Sequence, residues 1–139
     1  MGKGPPTVSD LEYPTMTRYS QNFTKAELNC KCGCKPPAMI EAHLTELAEA
    51  LERLRSKIGL PIQITSGYRC EEWNHLCGGA DKSQHLTGLA ADIWVRGKTP
   101  SQVKAAAEKI PEFFAGGIGL YRGWVHVDLR RTGPARWRG

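Results

Sequence analysis

From Pro37 to Ile58 apolar side chains return every three or four residues, at Ile40, Leu44, Leu47, Leu51, Leu54 and Ile58. That recurrence describes one long amphipathic helix, and Gly59 and Pro61 stop it. The apolar stripe must be covered by the rest of a chain of 139 residues, a length that supports a single core and one domain. His43 on this helix reads as a boundary residue and not as a ligand.

The covering layer is legible in three stretches that alternate with period two. "PIQITSGYR" reads as a strand ending at Gly67, and "LAADIWV" as a second, with Ala90, Asp92 and Trp94 on one face and Ala91, Ile93 and Val95 on the other. "GGIGLY" and "WVHVDLR" read as two more strands joined by a tight turn at Arg122-Gly123. In the last of these, Trp124, His126 and Asp128 share one face, while Val125, Val127 and Leu129 share the other.

Between the strands lie helical pieces. "NFTKAELNC" is a short turn capped by Thr24 with Glu27 at the capping-box position, and "CEEWNHLC" fits one or two turns. A further helix is expected from about Pro100 to Ile110, with Thr99 as N-cap and Pro100 at its first position. The order of elements predicts a compact α+β single domain, an antiparallel sheet packed on helices. Residues 1–20, with Pro5, Pro6 and Pro14, read as a flexible arm ahead of a domain over 21–139.

Asp92 raises the chemical question. A carboxylate inside an apolar strand is costly to bury without a compensating cation. Together with His85 and His126 it makes the two-imidazole, one-carboxylate set of open catalytic zinc sites. Each residue also has a plainer account: His85 as a turn residue, Asp92 as the partner of an arginine, His126 as a satisfied half-buried histidine.

A larger pattern surrounds these residues. "SGYR" at 66–69, Asn74, "GGA" at 78–80, Ser83-x-His85-x-x-Gly88-x-Ala90-x-Asp92, "GGIGLY" and "VHVD" resemble, in order, the zinc D-Ala-D-Ala metallopeptidase family M15. The likeness runs from about Phe23 to Trp137 and is greatest to the small branch of phage endolysins and murein endopeptidases. The opening F-T-K-A-E-L-x-C-x-C-G-C also resembles phage members. The resemblance implies a hedgehog/D-Ala-D-Ala-peptidase-like fold and a zinc peptidase domain over 21–139. It makes His85, Asp92 and His126 the ligands of one catalytic Zn2+, and Arg69 the group that steadies a developing oxyanion. Ser83, Gln84 and Tyr68 would contact substrate.

One departure stands out, because several branches carry an acidic general base three residues before the last histidine ligand, and here that position is Gly123. Asp128 is the nearest replacement, as base or as a group orienting His126, with Glu71, Glu72 and Asp81 as other acids near the cleft.

The implied activity is hydrolysis of an amide bond in the stem peptide or cross-link of bacterial peptidoglycan, in a phage lysis enzyme. A host D,D-carboxypeptidase and a catalytically silent zinc-containing binding module of the same fold are the alternatives. No apolar run is long enough to span a bilayer and the start lacks a secretory h-region, so synthesis in the cytosol, action on the wall after release, and a monomer are expected. The formal charge of +5 is uneven: Arg122, Arg130, Arg131, Arg136 and Arg138 crowd the end, without the aromatic interleaving of a nucleic-acid binder. They are expected to touch anionic envelope, or else to form a solvated basic tail.

Five cysteines cannot all pair internally, and reduced thiols are the expected state. A second, structural zinc site from Cys30, Cys32, Cys34 and either Cys70 or Cys77 is disfavoured, because C-x-C-x-C departs from the usual knuckle spacing.

Overall fold

The chain enters the described region, residues 17–139 of a computed structural model, as a two-stranded ribbon: β1 (Arg18–Ser20) against β2 (Phe23–Thr24). Most of the expected arm lies outside the described residues, while its last residues form β1. The ribbon is pinned to the long helix by Glu52, whose carboxylate accepts from Ser20 Oγ and Asn22 N, both at 2.6 Å. Helix α1 (Lys25–Leu28) follows with the expected capping box, Glu27 N donating to Thr24 Oγ1 at 3.1 Å while Glu27 Oε1 accepts from Thr24 N at 2.8 Å.

Helix α2 (Ala38–Ile58) is the predicted amphipathic helix, closed by Gly59 in the left-handed conformation. Its inward residues Leu44, Leu47, Leu51 and Leu54 are fully buried. They share one cluster with Ala91, Ile93, Ile118, Val125 and Val127 from the sheet. Burial of this kind contributes about 1.5–3 kcal/mol for each large apolar side chain, before the opposing entropy.

The main sheet contains β3 (Gln63–Ser66), β4 (Ala90–Trp94), β5 (Gly117–Leu120), β6 (Val125–Asp128) and β7 (Ala135–Arg138), in the order β3-β4-β6-β5-β7. Helix α3 (Glu71–Leu76) and a 3-10 turn (Gln84–Thr87) connect β3 to β4, and α4 (Pro100–Ala107) and α5 (Pro111–Phe114) connect β4 to β5. Thr99 and Gln102 form the capping box of α4. That helix ends earlier than its apolar pattern suggested, and α5 restarts at Pro111, whose ring cannot continue the preceding helix.

The fold class is the predicted α+β, but the sheet is mixed. Strand β7 runs parallel to β5, so the arginine-rich end is not a loose tail. Arg136 donates to the Gly116 and Phe114 carbonyls, both at 2.8 Å, and to Glu108 at 3.1 Å. Arg131 pairs with Glu46 and Arg130 with Asp128, so three of the five arginines are turned toward the protein's own acids.

Register decides what the outer face of the sheet displays. Ser66 pairs with Asp92, Asp92 with His126, His126 with Gly119, and Gly119 with Trp137, making one lateral row across five strands. The next row sets Ala90 beside Asp128 and Asp128 beside Gly117. Glycine is required here by space. A Cβ on Gly117 would lie 2.4 Å from Asp128 Oδ2 and 2.7 Å from Arg130 Nε. Gly117→Ala is therefore expected to cost about 1–3 kcal/mol, by the overpacking range, read as a lower urea midpoint at unchanged slope.

Candidate active site

Three elements deliver one cluster. The 3-10 turn carries His85, β4 carries Asp92 and β6 carries His126, all buried. Asp92 Oδ1 is the shared vertex, 3.3 Å from His85 Nε2 and 3.2 Å from His126 Nδ1. Each ring is held from behind. His85 Nδ1 donates to the Gly67 carbonyl and His126 Nε2 donates to Asp128 Oδ2, both at 2.7 Å.

Those outer bonds fix the protons on the far nitrogens, because a carbonyl can only accept. In the neutral rings, two nitrogen lone pairs then face one carboxylate oxygen, a convergence that repels unless a cation lies among them. The donor atoms all fall within 4.8 Å of one another. A tetrahedral centre with bonds of about 2.0–2.1 Å has ligand-to-ligand edges of about 3.3 Å. The two edges at Asp92 match that value, so the residues fit a zinc-sized ion.

The electrostatics point the same way. Burial pushes the Asp92 carboxyl pKa up, but hydrogen bonds and charge from His126 and His85 overcome it and hold the group well below the ordinary carboxylate range. For His126, burial lowers the pKa while Asp128 and Asp92 raise it, and the net shift is upward. Without an ion, the same carboxylates that would flank it favour the protonated form of His126.

Asp128 has no exposed surface. Oδ1 accepts from Gly117 N at 2.8 Å and Arg130 Nε at 2.9 Å, and Oδ2 from His126 Nε2 and from Arg130 Nη2 at 2.6 Å. Burial raises its pKa, but the His126 and Arg130 bonds outweigh that and hold the carboxyl well below the ordinary carboxylate range. Its geometry is that of an orienting group for His126. A general base would need a free lone pair facing the cleft, and Asp128 has none.

An open cleft of about 450 Å3 lies over the cluster. Arg69 reaches into it from the connection between β3 and α3, its Nε donating to Ser66 Oγ at 3.0 Å, Nη1 to Asn74 Oδ1 at 3.1 Å and Nη2 to Asp92 Oδ2 at 3.3 Å. Asn74 is buried and ties this arrangement to the Ala80 carbonyl at 2.9 Å. Gly79 leaves room for it, since a Cβ there would sit 2.1 Å from Asn74 Oδ1.

A profile of the Peptidase M15 family matches residues 21–128. The chain belongs to the M15 peptidase family. The peptidoglycan L,D-endopeptidases MepK of Escherichia coli strain K12 and of Shigella flexneri are each 37% identical to it over 99 residues, covering 65% of this chain and 51% of theirs. The chain thus spans about half the length of the curated relatives it matches.

Within this M15 chain the predicted residues divide. Ser83, Gln84 and Arg69 line the cleft, with Ser83 Oγ also accepting from His85 N at 3.1 Å. Tyr68 does not; it is buried in the core cluster. Glu71, Glu72 and Asp81 are absent from the lining, and Asp92 is the sole carboxylate among the described residues that form it.

Sequence reasoning counted Arg130 among the arginines of a basic end and passed over its place in the cleft, together with the aromatic wall. Trp137 packs against His126 with ring centroids 5.0 Å apart, Arg130 lies over its ring, and its Nε1 donates to Tyr121 Oη at 2.8 Å. Tyr121 stacks on Trp124 at 4.6 Å. The period of two in His126-x-Asp128-x-Arg130 is the signal that could have found the arginine.

Two outcomes are expected. Zinc uptake should release protons, and apparent affinity should fall as pH drops, because His126 must shed its proton to become a ligand; calorimetry in buffers of different ionisation enthalpy reads both. Asp128→Asn should weaken zinc binding about 10–100-fold in chelator competition while leaving the circular dichroism spectrum intact.

In the metal-free protein the signs of the shifts define a window. The lowered Asp92 and Asp128 pKa values add stability that is complete above about pH 4 and is lost as pH falls. The raised His126 pKa adds stability that is complete below about pH 6.5 and is lost as pH rises through its folded value. Melting temperature should therefore be highest between these limits, and zinc should remove the alkaline loss.

Proposed function

We propose that this M15 chain is a zinc-dependent peptidase that hydrolyses an amide bond in the stem peptide or cross-link of bacterial peptidoglycan. The observation that carries the reading is the convergence of His85 Nε2 and His126 Nδ1 on Asp92 Oδ1 at 3.2–3.3 Å beneath an open cleft. The names of the relatives, peptidoglycan endopeptidases, support the substrate class.

His85, Asp92 and His126 would hold the ion, which when bound supplies Lewis acidity toward the scissile carbonyl and lowers the pKa of water toward about 7. Around it the protein binds and orients. Arg69, kept in place by Ser66 and Asn74, presents a fixed positive charge where a substrate carboxylate or a carbonyl gaining negative charge would lie. Asp128 keeps the proton at His126 Nε2, so that Nδ1 stays a ligand. Tyr121, Trp124 and Trp137 form one wall of the cleft and exclude water from that side, and Ser83 and Gln84 offer hydrogen bonds to a peptide backbone.

The setting we assign is phage lysis, with the enzyme reaching the wall after membrane permeabilisation. The likeness of the opening F-T-K-A-E-L-x-C-x-C-G-C to phage members supports it. A catalytically silent binding module is the second reading. It is favoured by one observation, that no carboxylate besides Asp92 lines the described cleft to serve as proton shuttle.

Product mass spectrometry on purified Gram-negative and Gram-positive peptidoglycan separates these readings. Zinc-loaded protein should generate new free amines and a defined muropeptide, and His85→Ala should not. Release of D-Ala alone would identify a carboxypeptidase, whereas a zinc ion that is lost in His126→Ala, without product from either wall, would establish the binding module. Arg69→Ala is expected to lower kcat/KM about 100–1000-fold with zinc content retained.

A further inference from the structure

Away from the cleft, four thiols from two distant segments meet. Cys30 Sγ lies 3.4 Å from Cys32 Sγ and 3.7 Å from Cys70 Sγ, and Cys32 Sγ lies 3.7 Å from Cys70 Sγ. Cys34 completes the group, with all four sulfurs within 4.8 Å of one another. None of these separations is that of a disulfide, which needs about 2.05 Å. They are close to the edges of a tetrahedron around an ion with Zn–S bonds of about 2.3 Å, which are about 3.8 Å.

The backbone is arranged for thiolates. Cys34 N donates to Cys32 Sγ at 3.4 Å, Cys70 N to Cys30 Sγ at 3.4 Å and Trp73 N to Cys70 Sγ at 3.5 Å. Thiols are weak hydrogen-bond donors, so four of them facing one point satisfy one another poorly. The short C-x-C-x-C spacing is reconciled by Gly33. Its φ of +90° and the Gly33 N to Cys30 O bond at 3.1 Å make the turn that returns Cys34 toward Cys32.

We propose that Cys30, Cys32, Cys34 and Cys70 form a second, structural zinc site. Cys77 is not part of it; it is exposed and lines the cleft. The geometry decides between the two cysteines that spacing left open, and it turns the disfavoured site into a complete four-thiolate set.

The site would clamp the segment after α1 to the start of α3. Cys70 follows Arg69 directly, and α3 carries the Asn74 that holds the guanidinium. A metal here would fix the backbone from which Arg69 reaches the cleft. The proposal stands independently of the hydrolase reading.

The test uses the full chain purified with reductant and zinc. Elemental analysis should find two zinc ions per chain, matching the two donor groups, with one retained in His126→Ala and one in Cys32→Ser. Because Cys32→Ser could fail to fold, the deciding sample is His126→Ala with every cysteine intact. Loaded with cobalt, it should show strong thiolate-to-metal charge-transfer absorption. Its reactive thiols should number one before chelation, Cys77, and five after. Absence of the charge-transfer band or loss of all metal in His126→Ala would each overturn the site.

Discussion

The structure depends on one buried carboxylate and the strand pairing that places it. Asp92 and His126 are direct partners across β4 and β6, so the register that aligns Ile93 with Val125 for the core also sets an imidazole beside the carboxylate on the opposite face. An unpaired buried charge would be strongly destabilising. Here one oxygen faces two imidazoles and the other faces Arg69. The same hydrophobic packing that holds the sheet together therefore holds the donor set, and slipping β6 by one residue would send His126 into the core.

Around that pair the molecule is built in nested supports. His85 is aimed by a backbone carbonyl, His126 by Asp128, and Asp128 by Arg130 and the Gly117 amide. Glycines occupy positions where a side chain would displace a polar group: Gly117 beneath Asp128, Gly79 beside Asn74 and Gly119 beneath Trp137, where a Cβ would come within 2.4 Å of the indole. A glycine in a strand usually weakens it. In "GGIGLY" that loss makes room for the aromatic wall and the orienting carboxylate.

Much of this was legible from the residues because local physics agreed with the global fold. The stripe from Ile40 to Ile58 and the alternation in "LAADIWV" and "WVHVDLR" each obey a single period, the capping box at Thr24 and the N-cap at Thr99 mark helix starts, and each is found where expected. The meeting of His85, Asp92 and His126 was readable as chemistry and as family pattern together. What failed involved geometry beyond the local period. Strand β7 is short and half arginine, so charge obscured its alternation of Ala135 and Trp137 with Arg136 and Arg138. Tyr68 was expected at the substrate, but a tyrosine serves a core as readily as a cleft, and here it joins the core cluster. Asp128 looked like a candidate base because spacing shows proximity and cannot show that every lone pair is already taken. The cysteines were discounted on spacing alone, since a turn at Gly33 and the arrival of Cys70 from forty residues away are tertiary facts.

The family match ends at Asp128, yet the cleft does not. Arg130 and Trp137 come from the segment beyond it, Arg130 from the loop after β6 and Trp137 from β7, the edge strand parallel to β5. An edge strand is the easiest part of a sheet to exchange without disturbing the core. The His85, Asp92 and His126 floor and the Trp137 wall of this cleft thus come from different stretches of the chain. Because Arg130 braces Asp128 and Trp137 packs on His126, a change in these few terminal residues alters at once what the cleft grips and how its centre is held.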